Sequence, residues 1–298
     1  MATSWGCPVS DGCIHQHVQS LEEAAERMEL PAPVIPPQEP QFSMVIMLDG
    51  WMARERGPDW GAGLQKKEAQ RVLWHEVKSA VIYRLERRGT NDSGRGMLIE
   101  KFVVATPPES APVDFGAAVQ NEARRRGLGR AKCVNMVMDG AIWLWDLAQD
   151  HFAQAIMALD FHHARDHLWA LAHSPHGENT PQAGAWVKPS LRSLRQGRES
   201  QLVRPLEELL ERPSKRTPQQ QEVIEREVKF FLKHREHLHY RDMEKAGAPR
   251  GSGAVESLGK QLQRRLRAFG QIWSRPGFTR LLKVVVLLKN QDDHLLWN

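Results

Sequence analysis

Five apolar residues run unbroken from Met44 to Leu48 and lead into Asp49 and Gly50. A short apolar run bounded by turn formers, here Pro36, Pro37 and Pro40 upstream, predicts a strand buried on both faces. The pattern returns at Lys132-Cys-Val-Asn-Met-Val-Met-Asp-Gly140, which delivers a second Asp-Gly pair. A glycine after each acid lets the backbone turn away, so both carboxylates are expected where a strand emerges. Between them, residues 74–85 are rich in Val, Ile and Tyr and predict a second strand, and residues 96–105 a third. Phe115, Val119 and Ala123 recur at steps of four before Gly127, which predicts a helix over 114–126. A helix over 143–153 and a strand over 155–161 complete the order strand, strand, strand, helix, strand, helix, strand, an α/β core.

Beyond residue 161 the pattern changes. Residues 162–248 are charged and helical in period, with Ile224, Val228, Phe231 and Leu238 on one side of a helix predicted over 222–240. Residues 177–196 are punctuated by Pro and Gly and predict a loop. A last amphipathic helix is expected over 253–269, with Val255, Leu258, Leu262 and Leu266 inward. At the other end, Ser20 as a cap and Glu23 three residues on predict a short helix over 20–30, followed by a proline-rich linker. The expected organisation is an arm and linker at 1–42, a first core part at 43–161, a helical insertion at 162–248, and a core completion at 249–298. No repeat of solenoid period is present.

Composition narrows the class without naming it. Of 298 residues, 41% are hydrophobic and 26% charged, an ordinary balance for a chain with a real core. The formal charge of +5 and pI of about 9.2 suit a polyanionic partner without demanding one. Three cysteines without paired spacing point to a reducing compartment, and no apolar run reaches the ~18 residues of a membrane span. With no leader pattern, a cytoplasmic, nucleoid-associated protein with no membrane partner is expected. Cys7, Cys13, His15 and His17 are potential zinc ligands, but their spacing matches no zinc module, and a disordered arm is the competing reading.

The acids carry the chemistry. Asp49, Asp139 and Glu256, the last in Arg250-Gly-Ser-Gly-Ala-Val-Glu-Ser257, are proposed to converge on divalent metal. Two hard cations held by carboxylates can activate an attacking oxygen and stabilise a leaving one in phosphoryl transfer. Taken singly, Asp-Gly after a strand is a common turn and Glu256 a capping or solvated acid. Lys260, Arg264 and Arg267 follow Glu256 at helical steps, either lining a DNA path or forming a solvated face. Trp273 is either a ring for base stacking or, with Phe269, a core anchor. His163 and His167 are four apart, but without the opening His-Glu of a metalloprotease helix they read as structural.

In combination these pieces resemble a family. The two Asp-Gly strands, Leu159-Asp-Phe-His-His-Ala164, the Gly-Ser-Gly-x-Val-Glu motif and the ending around Phe269-Gly-Gln-Ile-Trp-Ser274 look like the DDE transposases of bacterial insertion sequences. The nearest group is the Kra-type branch, related to Mutator-like transposases, and the resemblance spans roughly residues 43–298. It implies a ribonuclease-H-like core, a mixed five-stranded sheet flanked by helices, with an α-helical insertion before the catalytic glutamate. It implies Asp49, Asp139 and Glu256 as ligands of two Mg²⁺ ions, with Mn²⁺ substituting. Asp160 and His163 resemble the Asp/Cys-x-x-His signature of the Mutator-like group and are carried over as a supporting motif.

The implied activity is metal-dependent DNA cleavage and strand transfer on double-stranded DNA, element ends and target, by a homodimer or higher assembly. Members of the group usually have a longer N-terminal region that reads terminal inverted repeats. Only about forty residues precede the first strand here, so a truncated copy is one expectation. A stand-alone ribonuclease-H-like nuclease and a catalytically silent DNA-binding relic are the competing functions.

Overall fold

The computed structural model describes residues 11–28, 30, 41–57, 71–94, 96–211 and 216–297. Strands β1 (Phe42–Arg56), β2 (Val72–Arg84), β3 (Arg88–Thr90), β4 (Gly96–Leu98) and β5 (Phe102–Thr106) come first in the core. Helix α2 (Pro112–Arg125), β6 (Ala131–Met138), α3 (Ile142–Phe152) and β7 (Ile156–Leu159) follow; α1 (Asp11–Arg27) precedes them all. The main sheet has the order β5-β2-β1-β6-β7. β1, β2 and β5 pair antiparallel, while β6 and β7 run parallel to β1. That order and those directions, with helices on both faces, are the ribonuclease-H-like arrangement.

Alternation along β1 fixes the layers. Met44, Ile46 and Leu48 point into a core shared with Phe115 and Val119 of α2 and Leu144 and Leu147 of α3. Val45, Met47, Trp51 and Ala53 point to the other face, onto α9 (Gly253–Leu266) and α10 (Arg275–Asn290). Among the described residues, five more α-helices stand between β7 and α9: α4 (Phe161–His176), α5 (Pro181–Arg195), α6 (Ser200–Glu211), α7 (Pro218–Lys233) and α8 (Tyr240–Lys245). They enclose their own core around Leu168, Val187, Leu206, Val228 and Phe231. The helical segment thus has a hydrophobic centre separate from the two that sandwich the sheet.

Four expectations are corrected. β1 does not end at Asp49; it continues through Gly50, paired with Lys78, as a two-stranded ribbon to Arg56. What ends there is its other neighbour, because β6 pairs with β1 only as far as Met47. Residues 181–195 form helix α5 rather than a loop, because Thr180 caps the helix and Pro181 takes its first turn, where no amide donor is needed. The expected third strand breaks in two, with β3 and β4 forming a separate hairpin and β5 alone joining the sheet. In the arm, Ser20 lies within α1 instead of capping it. Cys13 and His17 are also in that helix, whereas Cys7 and the His15 side chain lie outside the described residues.

Candidate active site

Asp49 sits where β1 loses its partner β6, and Asp139 follows the last residue of β6. The two acids therefore stand side by side at one end of the sheet. Glu256 arrives from the α9 side, in that helix's first turn. Four inward residues, Val255, Leu258, Leu262 and Leu266, are wholly or almost wholly buried and fasten α9 to the sheet. At about 1.5–3 kcal/mol for each such side chain, the helix is held far more strongly than like-charge repulsion at its tip could displace it.

The electrostatics show that the acids converge. The Asp49 carboxyl is pushed up from 3.8 to about 6, first by burial, then by the charge of Asp139 and, more weakly, of Glu256. The Gly50 amide, which donates to Asp49 Oδ1 at 2.8 Å, and the His163 imidazole pull the other way. Asp49, Asp139, Glu256 and His163 thus share one neighbourhood. Asp139 Oδ1 accepts from the Ala141 amide at 2.8 Å, and Glu256 Oε1 from the Ser252 hydroxyl at 3.2 Å. Lys260 Nζ lies 3.8 Å from Glu256 Oε2.

Asp160 is not part of that cluster but the brace behind it. Wholly buried, it accepts from the amides of His162 and His163 at the start of α4 and from the amide of Ser252 before α9. The Phe161 amide donates to the Arg250 carbonyl at 2.9 Å alongside. One carboxylate therefore ties the end of β7, the start of α4 and the turn that carries Glu256 into one piece. Burial and the charge of Asp160 keep the Tyr240 phenol above its ordinary range, so its hydroxyl stays neutral against the brace.

A second brace, invisible in the motifs, holds Asp139. Trp145 Nε1 donates to the Asp139 carbonyl at 2.9 Å. His237 stacks on that indole with ring centroids 4.1 Å apart, and His234 leans on it at 5.1 Å. Phe230 of α7 presses on Gly140 so closely that a Cβ there would fall inside its ring. His167, stacked on Phe230 at 3.6 Å, bonds Glu227, which Arg226 also holds at 2.6 Å. The helical segment thereby grips the backbone beside Asp139. The only signal in the sequence was Gly140 itself, read there as a turn former rather than as a contact surface.

The remaining candidates lie along α9. Lys260 and Arg264 are exposed, and Arg267 donates to the Met52 carbonyl at 3.2 Å. Trp273 is half-buried against the core, with its indole donating to the Leu266 carbonyl at 2.6 Å and its backbone bridged to Glu55. Of its two readings, core anchor or stacking ring, this placement is that of an anchor, and neighbouring Phe269 is the fully exposed ring.

The donor chemistry suits a hard divalent cation: three carboxylates, with Asp49 pushed toward its neutral form by burial first and then by the charges of Asp139 and Glu256. Among the described residues, no three His, Cys, Asp or Glu side chains already stand in an ion-holding arrangement.

No family model matches the chain. No curated protein matches it either. Among solved structures it is similar to the Drosophila P element transposase strand transfer complex, at 11% identity over 96% of this chain and 86% of that one, with a TM-score of 0.37. It is also similar to NurA, at 15% identity over 87% of this chain and 46% of that one, with a TM-score of 0.12. Likenesses this distant carry no functional weight, and the fold assignment rests on strand order and direction.

Proposed function

We propose that this chain is a DDE-type transposase catalytic region that cuts a DNA strand and joins the freed 3′ end to a second DNA. The observation that carries the reading is the placing of Asp49, Asp139 and Glu256, from two strands and a helix far apart in sequence, at one end of the sheet. Asp49, Asp139 and Glu256 would hold two Mg²⁺ ions, with Mn²⁺ substituting. When bound, these would supply charge for the oxygens at the reacting phosphorus. In the cut, a water oxygen bonds to phosphorus as the bond to the 3′ oxygen breaks, and that oxygen leaves as a hydroxyl with the proton. In the joining step the 3′ hydroxyl attacks a target phosphate in line, and the displaced 3′ oxygen takes the proton.

The chain's own contribution is alignment, which is most of what such displacements require. Asp160 sets the Glu256 helix against β7 and α4. Trp145 fixes the Asp139 carbonyl, and His163 faces Asp49, where its imidazole favours the ionised acid. The positive charge along α9 at Lys260, Arg264 and Arg267 supports a DNA partner. A homodimer or higher assembly, which would hold two DNA ends together, belongs to this reading, as does a nucleoid-associated cytoplasmic location. No described helix is long and apolar enough to cross a membrane.

The test uses the full chain with end-labelled DNA in Mg²⁺ or Mn²⁺. D49N, D139N and E256Q are each expected to lose cleavage and joining by at least about 100-fold while melting as folded proteins. Undiminished activity in any of the three ends the assignment. Cleavage without joined product indicates a nuclease, and binding without cleavage by the wild-type chain indicates a silent relic.

A further inference from the structure

Past Asp49, β1 and β2 continue as a ribbon that β6 no longer pairs. Trp273 takes up its free edge at Arg54–Arg56, its amide donating to the Arg54 carbonyl at 3.3 Å and its carbonyl accepting from the Arg56 amide at 2.8 Å. On the ribbon face opposite Asp49, Trp74 stands across from Arg54 in register. Its indole is 52% exposed. Two guanidinium groups lie over it, Arg267 at 5.3 Å and Arg54 at 6.0 Å from the ring centroid. Arg54 reaches past that edge to the Ala268 carbonyl at 2.7 Å, and Arg267 reaches back to the Met52 carbonyl at 3.2 Å. Both arginines are thus oriented by neutral oxygens, and among the described residues neither pairs with a carboxylate. Their charge remains available to an anion, beside an aromatic face already suited to stacking.

The position is set by two independent rulers. From Asp49 to Arg54 is five residues of extended strand, about 17 Å. From Glu256 to Arg267 is eleven residues of helix, also about 16 Å. The exposed cations Lys260 and Arg264 occupy the helix between the two ends, and fully exposed Phe269 lies just beyond.

We infer that Trp74, flanked by Arg54 and Arg267, is a stacking platform for an unpaired DNA base about 16 Å from the phosphate at the carboxylates, roughly five stacked nucleotides away at ~3.4 Å per step. This rests on the reading of the carboxylate site as a DNA-processing centre. A π-face accepts any base, so the platform grips without choosing sequence, while the arginines hold the flanking phosphates. An indole face stacks on an unpaired base and not on one enclosed in a duplex, which commits the occupant to single-stranded DNA.

The test is anisotropy of the full chain with a labelled single-stranded oligonucleotide in EDTA, where cutting is suppressed. W74A is expected to weaken binding about 5- to 150-fold, the range of one lost base stack, and W74F to stay close to wild type. R267A should lower the slope of log affinity against log salt by about 0.7. A 2-aminopurine base placed five nucleotides from the cut position should be quenched on wild-type protein and on W74F but not on W74A, a signal that a purely structural tryptophan would not move. Wild-type binding that is indifferent to W74A, or confined to duplex DNA, overturns the inference alone. Failure of the wild-type chain to bind any DNA overturns the reading of the carboxylate site as well.

Discussion

Replacing Asp49 by Asn keeps the side chain's shape and removes its charge, and the effect on stability can be worked out in advance. The folded protein raises this carboxyl from 3.8 to about 6, a little over two pH units. At about 1.4 kcal/mol per unit, ionised Asp49 costs the folded state roughly 3 kcal/mol. The sign follows from which state ionises first. Below pH 3.8 the acid is neutral in both states and costs nothing. Between 3.8 and 6 the unfolded chain ionises while the folded one resists, so stability falls as pH rises. Above 6 the full cost is present. In chelator at pH 7.5, D49N is therefore expected to be more stable than wild type by about 2–3 kcal/mol, raising the melting midpoint by several degrees. The gap should close toward pH 4. Mg²⁺ should narrow it as well, because an ion bound only by the folded wild type adds about 2.7 kcal/mol at a hundred times its dissociation constant. Urea titrations across pH, with and without Mg²⁺, measure all three. Equal or lower stability of D49N in chelator at pH 7.5 would refute the claim that burial and the neighbouring acids disfavour the ionised Asp49 carboxyl.

Other positions give sharper local tests. G140A drives a methyl into the Phe230 ring and should cost about 1–3 kcal/mol; F230A in the same chain should recover part of it, a coupling visible in a double-mutant cycle by urea melting. D160N leaves a single buried side-chain oxygen to serve three amides, and a loss of about 2–3 kcal/mol is expected. Under folding conditions its cleavage rate should also fall, since the turn bearing Glu256 loses its tie. Burial, the first cause, and the charges of Lys233, His237 and His167 depress the His234 imidazole from 6.5 to about 4. The stability that neutral His234 contributes is complete above pH 6.5 and disappears as pH falls toward 4, by up to about 3 kcal/mol, so H234Q should flatten the acid limb of the stability profile.

The succession of strands and helices in the core, the helix with Glu256 and the helical character after residue 161 are readable because their periods are strong. The errors have physical causes. Asp49-Gly50 reads as a strand end because glycine permits a turn, yet permission is not compulsion. Pairing with Lys78 carries β1 straight through, and on the far face Glu76 occupies the space above the missing Cβ. Residues 181–195 read as loop because proline disfavours a helix interior, yet Pro181 sits at the start, where Thr180 caps the helix, and the helix runs on through Pro189. Trp273 and Trp74 show the deepest limit. Both lie near arginines in the sequence or the fold, and composition cannot tell which indole faces water. Only the register of the ribbon, placing Trp74 opposite Arg54 on an exposed face, makes that distinction.

The two titrating groups just considered act in opposite directions over nearly the same range, and that opposition follows from how the site is built. As pH falls from about 6.5 to 4, His234 withdraws stability while Asp49 returns it, each by about 3 kcal/mol. Asp49 is the strained member, an acid kept in a crowd of acids. His234 belongs to the clamp, since it leans on the indole that holds the Asp139 carbonyl. Protonating His234 loosens the grip on the second acid as protonating Asp49 removes the reason for gripping. Crowded carboxylates persist only where the surrounding structure over-determines their positions. Here that surrounding is the helical segment, through Phe230, His234 and His237, together with the Asp160 brace. A chain in which residues 162–248 were cut out would keep all three acids on their strands and helix but lose the grip of Phe230, His234 and His237 beside Asp139.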